Sequence, residues 1–322
     1  MLCLPVAARA DEPGALNRVT LINPAAVDQD DLAIWRDAGE PSRSLVVTSD
    51  KTAGKLFVYD FTGNLRQTLS MPKPGNIDLR CDVRVGDRRI DIVAVNQRDE
   101  GTGLQLFRLD RETRQLVAIG DLLPTPPNYG GCLYHDRRQE RLYFICTAED
   151  GACRQYDISF DEDHKTPRLR EVRAWQIGKC EGAVADDERG LLFITEETRG
   201  VWMLGARPED PAPGELIARV GHHGLTGDLE GVALTGGPEP WLIVSDQGRG
   251  KFVAFTAQRE ARYLGEFAVP GVKETDGLEL SLGNFGDAFA VGVFGCHNGA
   301  AKPCPIVLTP WTDVKNQLRC AE

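Results

Sequence analysis

Six times along the chain, two short apolar runs follow one another across a turn. RSLVVTSD (43–50) precedes KLFVYD (55–60), RIDIVAVNQ (89–97) precedes LQLFRLD (104–110), and RLYFICTAED (141–150) precedes CRQYDI (153–158). GLLFITEE (190–197) precedes GVWMLG (200–205), PWLIVSDQ (240–247) precedes KFVAFT (251–256), and DAFAVGVFG (287–295) precedes PIVLTPW (305–311). Runs of this length and residue type, bounded by turn residues, are strands, and convincing amphipathic helices are few. The period is roughly 50 residues, within the range of propeller blades. Each pair also has a leader upstream: DDLAIW (30–35), IDLRCDV (77–83), NYGGCLYH (128–135), CEGAVAD (180–186), DLEGVAL (228–234) and TDGLELS (275–281). Leader plus pair gives three strands per unit, and the linking segments supply a fourth. Radial repetition of such units leaves only short, protected edges. The expected fold is therefore all-β, a six-bladed β-propeller, with NRVTLI (17–22) pairing with the last blade to close the ring. A pair of β-sandwiches does not explain the even six-fold spacing. No domain boundary interrupts residues 11–322.

The formal net charge of −11, without a basic run, makes nucleic acid and acidic membranes poor partners. No apolar stretch is long enough to span a bilayer. The expected partner is a small molecule, and the expected oligomeric state a monomer. The start, MLCLPVAARA, reads as a partial signal peptide over residues 1–10, with Ala8-Arg9-Ala10 as a small-x-small cleavage pattern. A secreted or periplasmic protein is expected. Cleavage there would remove Cys3 and leave an even cysteine count. Cys146 and Cys153 bracket TAEDGA, and Cys296 and Cys304 bracket HNGAAKP, so both pairs are expected to bridge neighbouring strands. The pairing of Cys81, Cys132, Cys180 and Cys320 stays open. No C-x-x-C spacing occurs, which argues against a thiolate metal centre.

In a propeller the first strand of each blade lines the channel, and equivalent ends meet at one mouth. Asp31, Asp78, Tyr129, Glu181, Glu230 and Asp276 open the leaders. Second-strand ends add Asp50, Glu196, Glu197, Asp246 and Gln247. Like charges packed this closely raise one another's pKa or draw in cations. A hard, oxygen-rich, sulfur-free site suits calcium better than magnesium.

These stretches, together with CEGAVADDERGLLFITEE and the late TPW, resemble the β-propeller phytases over residues 28–311. That family comprises six-bladed, calcium-dependent phosphatases of inositol phosphates. The resemblance implies a phosphoric monoester hydrolase of 3-phytase type acting on phytate through metal-activated water. It implies calcium ligands at Asp31, Tyr129, Glu181, Glu197, Asp228, Glu230, Gln247 and Asp276, of which Tyr129, Glu181, Glu197, Glu230 and Asp276 would serve catalysis. Asp30, with the backbone around Ile77, would form a structural calcium site. Lys51 in TSDKTAG and Arg98 in NQRDEG would contact phosphate, with Asp228 and Gln247 also facing substrate.

Two stretches depart from the family pattern. Glu149 stands in TAEDG, where the family has a phosphate-binding lysine in the third-blade turn. After Asn298 and Gly299, Ala300 and Ala301 stand where acidic ligands of another structural calcium are expected; a Cys296–Cys304 bridge would replace that ion as a staple. Glu149 therefore keeps a non-catalytic calcium- or phosphate-binding propeller as an alternative. A calcium-dependent propeller lactonase is a second alternative, disfavoured because a lactone needs no cationic clamp.

Other signals carry less. Cys132 to Arg138 formally fits C-x5-R, but the run reads as strand rather than an amide cradle. His222 and His223 read as a solvated turn, and His135 and His164 have no evident partners. Trp35, Tyr59, Phe107, Tyr143, Phe193 and Trp202 read as blade packing.

Overall fold

The computed structural model describes residues 18–99 and 101–319. Residues 1–10, where a partial signal peptide is expected, Cys3 and Cys320 lie outside the described residues. Six four-stranded antiparallel sheets are present. In blades 1 to 5 the strands follow chain order from channel to rim. The innermost strands are Gln29–Trp35, Pro74–Val85, Gly130–Asp136, Cys180–Asp186, Leu229–Leu234 and Leu278–Leu282. Each touches the next, and the sixth touches the first, which closes the ring. Val19–Leu21 forms the outermost strand of blade 6, with Val19 opposite Leu308 and Leu21 opposite Ile306. The blade is thus shared between the two ends of the chain, as the sequence predicts.

Burial explains why the strand pairs are so legible. Second strands such as Leu45–Asp50 are buried on both faces between neighbouring blades and read as continuous apolar runs. The outermost strands, such as Leu65–Ser70 and Pro167–Gln176, are half exposed and mixed in composition, so they read as linkers. The cores lie between blades. Ala33, Trp35, Leu45 and Val47 of blade 1 pack against Ile77, Val93, Val95 and Phe107 of blade 2. Burying a side chain of this size stabilises the fold by about 1.5–3 kcal/mol. At the end away from the mouth, aspartates close the turns: Asp60 accepts from the amides of Thr62 and Asn64, and Asp186 from those of Glu188 and Arg189. The sixth unit differs from its sequence reading. Residues 287–289 form a 3-10 turn, the strand is Gly292–His297, and Trp311–Arg319 is an α-helix packed on that blade through Trp311, Val314 and Leu318.

The expected disulfides are absent among the described residues, whose seven cysteines are all free thiols. Register gives the reason for the first pair. Cys146 stands opposite Arg154, not Cys153, and Cys146 and Cys153 point into different inter-blade cores. Cys296 is opposite Val307 inside the blade-6 core, whereas the Cys304 sulfur turns to the carbonyl of Gly299 and the ammonium of Lys302. The Cys153 and Cys180 sulfurs instead approach to 3.6 Å. Cys132 is a buried core residue on a strand, not part of an amide cradle.

Candidate active site

Four of the mouth residues are followed directly by glycine: Tyr129-Gly130, Glu181-Gly182, Glu230-Gly231 and Asp276-Gly277. The pattern has a steric cause. A Cβ on Gly130 would fall 2.3 Å from the Glu181 carbonyl oxygen, one on Gly182 2.2 Å from that of Glu230, and one on Gly231 2.5 Å from that of Asp276. On Gly277 it would meet Asp31 Oδ1 at 2.2 Å. Each glycine thus lets the next blade's acid approach. The amides of Gly231 and Gly277 donate to the carbonyls of Asp276 and Asp30, both at 3.0 Å. In blades 1, 2, 4 and 5 the register slips at this point, between Gln29 and Leu32, Pro74 and Ile77, Cys180 and Ala183, and Leu229 and Val232. Such bulges re-aim side chains, here at the channel opening.

The result gathers carboxylates from distant parts of the chain. Glu181 and Glu230 are buried and hydrogen-bonded to each other. Burial, reinforced by Glu181, pushes Glu230 up to about 10, and its Oε2 is buried without a hydrogen-bond partner. Burial and Asp30 push Asp276 up to about 8. Oxygens of Glu197, Asp228 and Glu230 lie within 4.8 Å of one another. Gln247 donates to Asp276, and its amide donates to the Asp228 carbonyl at 3.1 Å. Tyr129 borders the same opening, with the Arg98 guanidinium 4.6 Å and the Lys179 ammonium 5.1 Å from its ring centroid.

Cations enter from blades 1, 2 and 4. Lys51 lies 2.6 Å from Asp30 and 3.2 Å from Asp276. Arg98 pairs with Glu181 and approaches Asp30 at 3.5 Å. Burial alone would raise Asp30, but Arg98 and Lys51 outweigh it and hold the carboxylate at about 2. The Ile77 amide donates to Asp31, at 3.0 Å, and not to Asp30, because the bulge turns Asp30 toward the cations. A cleft of about 720 Å³ beside the mouth is lined by Lys51, Arg98, Tyr129, Glu149 and Arg154. Glu149 is exposed there, close enough to influence the Lys179 ammonium, which pairs with Glu197 at 2.8 Å.

Some expected positions lie elsewhere. Asp78 is deeper in the channel, with Arg80 at 2.6 Å and the Leu133 amide on its other oxygen at 2.7 Å. The bulge in Pro74–Val85 puts Asn76 at the mouth instead, accepting from Arg98 at 3.1 Å. Asp50, Glu196 and Asp246 hold local structure: Asp50 receives the amides of Val27, Asp28 and Ala53, Glu196 receives the Trp202 indole, and Asp246 receives Thr226. Asn76 and Lys179 went unnoticed in the sequence. The acid–glycine dipeptides were the available signal for the mouth register, and none occurs at Asp78.

A model of the family described as Phytase matches residues 17–303. A curated 3-phytase of Bacillus subtilis (strain 168) is 30% identical over 287 residues, covering 84% of this chain and 74% of that protein. Among solved structures, a calcium-binding protein, regucalcin, from Agrobacterium tumefaciens superposes with a TM-score of 0.56 at 13% identity, covering 90% of this chain and 92% of that one. That likeness is one of fold alone. With the six blades and the mouth described, the match over most of its length shows that this chain belongs to the phytase family.

Proposed function

We propose that this protein is a calcium-dependent phytase, releasing phosphate from myo-inositol hexakisphosphate at the channel mouth. The observation that carries the reading is a set of buried carboxylates with too few cations, adjoining a cleft that holds Lys51 and Arg98. The unpartnered Glu230 Oε2 and the Glu197–Asp228–Glu230 oxygen cluster fit a hard divalent cation. Asp31, Tyr129, Glu181, Glu197, Asp228, Glu230, Gln247 and Asp276 would hold calcium, with Asp30 beside them. When bound, calcium supplies positive charge for the phosphoryl oxygens and acidifies water for attack on phosphorus.

The chain's own groups do the rest. Lys51 and Arg98 bind phosphate oxygens through charge-assisted hydrogen bonds, and Arg98, stacked on Tyr129, presents a planar fork. Burial and Glu181 hold a proton on Glu230, which a bound cation would displace. Lys179 and Arg154 offset Glu149 at the cleft and seat a second phosphate of the same substrate, which orients the reacting one. The cleft volume suits a sugar-sized ligand. The leader read at residues 1–10 supports export.

The test is phosphate release from phytate with calcium and with chelator. Turnover only with calcium supports the reading. Calcium uptake without turnover in either condition leaves a binding propeller in its place.

A further inference from the structure

Beside the mouth, where blade 6 meets blade 1, three separate segments assemble a second donor cluster. Asp28 precedes the innermost strand of blade 1, His297 ends Gly292–His297, and Cys304 lies in the turn before Ile306–Pro310. A carboxylate oxygen of Asp28, a ring nitrogen of His297 and the Cys304 sulfur lie within 4.8 Å of one another. His297 is 2% exposed and Cys304 1%, while the half-buried Asp28 closes the solvent side.

The imidazole is the informative member. Its Nδ1 accepts from the Asp276 amide at 3.2 Å and lies 3.5 Å from Asp276 Oδ2. Its Nε2 is buried, points toward Asp28 Oδ1 at 3.8 Å, and has no hydrogen-bond partner. Buried polar atoms are nearly always satisfied, so this exception needs a cause. The Cys304 sulfur lies 3.2 Å from the Lys302 ammonium and 3.5 Å from the Gly299 carbonyl. Burial and Asp28 push the Cys304 thiol up and outweigh the Lys302 ammonium, so a cation must displace the thiol proton to bind there. Asp28 also receives Thr52 Oγ1 at 3.3 Å and lies 3.8 Å from Lys51.

We propose that Asp28, His297 and Cys304 bind a zinc-class divalent cation, distinct from the oxygen-only calcium ligands of the mouth. A set of one sulfur, one imidazole and one carboxylate excludes calcium and suits zinc or cobalt, with water as the fourth ligand. Bonds of about 2.0–2.3 Å place tetrahedral ligand atoms roughly 3.3–3.8 Å apart, so side-chain rotations closing about 1 Å suffice. On binding, the Cys304 thiol proton goes to solvent and the imidazole proton moves to Nδ1. The Asp276 amide contact is thereby exchanged for one to the Asp276 carboxylate, the usual carboxylate–histidine–metal relay. The cation ties the first blade to the last and reaches the mouth through Asp276. The missing C-x-x-C spacing is no obstacle, because the ligands come from distant segments.

The test is titration of the full-length, calcium-saturated protein with cobalt(II) chloride, read by absorption. One cobalt per chain is expected, with a near-ultraviolet thiolate-to-cobalt band and net proton release. Zinc chloride should displace it. The band should vanish in Cys304→Ser and persist in Cys153→Ser. Should Cys304→Ser fail to fold, Asp28→Asn at the solvent edge remains decisive: it should weaken cobalt binding roughly tenfold or more. Absence of the band in the wild type, its survival in folded Cys304→Ser, or unchanged affinity in Asp28→Asn would overturn the proposal.

Discussion

The two ends of the central channel are both acidic, yet they are built for different purposes. At the far end, Asp78 and Asp187 share Arg80, at 2.6 and 2.8 Å, and their remaining oxygens accept the amides of Leu133 and His135. Arg80 in turn donates to the carbonyls of Leu79 and Leu133. A cavity of about 240 Å³ there is lined by Asp78, Arg80, Asp187 and Glu279, the last of which burial and Asp78 push up to about 8. At the mouth, burial and Glu181 push Glu230 up to about 10, and Glu230 keeps a buried oxygen with no partner. The lesson is that carboxylate density does not mark a site. What sets the mouth apart is a buried carboxylate oxygen with no hydrogen-bond partner, on Glu230, whereas Asp78, Asp187 and Glu279 carry no such oxygen.

Breaking each end in turn gives the largest contrast. Glu230→Ala should lower phosphate release from phytate by roughly 10²–10³-fold in folded, calcium-loaded protein. Asp187→Asn should leave turnover within about threefold but cost about 1–3 kcal/mol in denaturant unfolding, because it leaves Arg80 half paired. Reversal of that pattern would put the chemistry at the wrong end of the channel.

The next largest effect concerns the cations. Arg98→Ala removes the partner of Glu181 and the stack on Tyr129, and should lower kcat/KM by roughly tenfold to a hundredfold. Arg80→Ala should act on stability instead, since its partners lie away from the cleft. Steady-state kinetics and urea unfolding of both variants separate the two roles.

Much of this contrast was legible in the sequence, and the part that was not has a physical reason. The blades are visible because second strands, buried on both faces, carry near-continuous apolar runs, as in Leu45–Asp50 and Leu191–Glu196. Ring closure through residues 17–22 followed from the count of strands. Glu181, Glu230 and Asp276, the acids that open their leaders in the sequence, stand together at the mouth. Asp78 was misread because a bulge shifts the register by a residue or two, and no periodicity announces a bulge. The acid–glycine dipeptides did carry that register, through close approach of neighbouring backbones. Strand facing defeated the Cys146–Cys153 expectation: a hairpin turn brings strands together but does not say which residues share a face.

The glycines allow a sharper comparison. Gly231→Ala forces a Cβ to within 2.5 Å of the Asp276 carbonyl, so it should cost about 1–3 kcal/mol and weaken calcium binding together with stability. Gly236, which borders the far-end cavity and has open space around it, should tolerate alanine. Calorimetry of both variants checks this.

The last contrast is in pH dependence. Glu230 and Asp276 rise from ordinary values of 4.5 and 3.8 to about 10 and about 8 on folding. Groups raised in this way stabilise the fold fully below their unfolded values, and that contribution is lost as pH climbs through the folded ones. Calcium-free protein should therefore melt at lower temperature at about pH 9 than at about pH 6, and calcium should narrow the gap. A melting temperature independent of calcium at both pH values would argue against cation binding at the mouth.

The most direct measurement is calcium titration of chelator-stripped protein, with phosphate release from phytate followed in the same samples. Uptake of more than one calcium per chain should be accompanied by the appearance of turnover, and both should fall together in Glu230→Ala. Full turnover in the stripped protein, or calcium uptake unaffected by Glu230→Ala, would contradict the account.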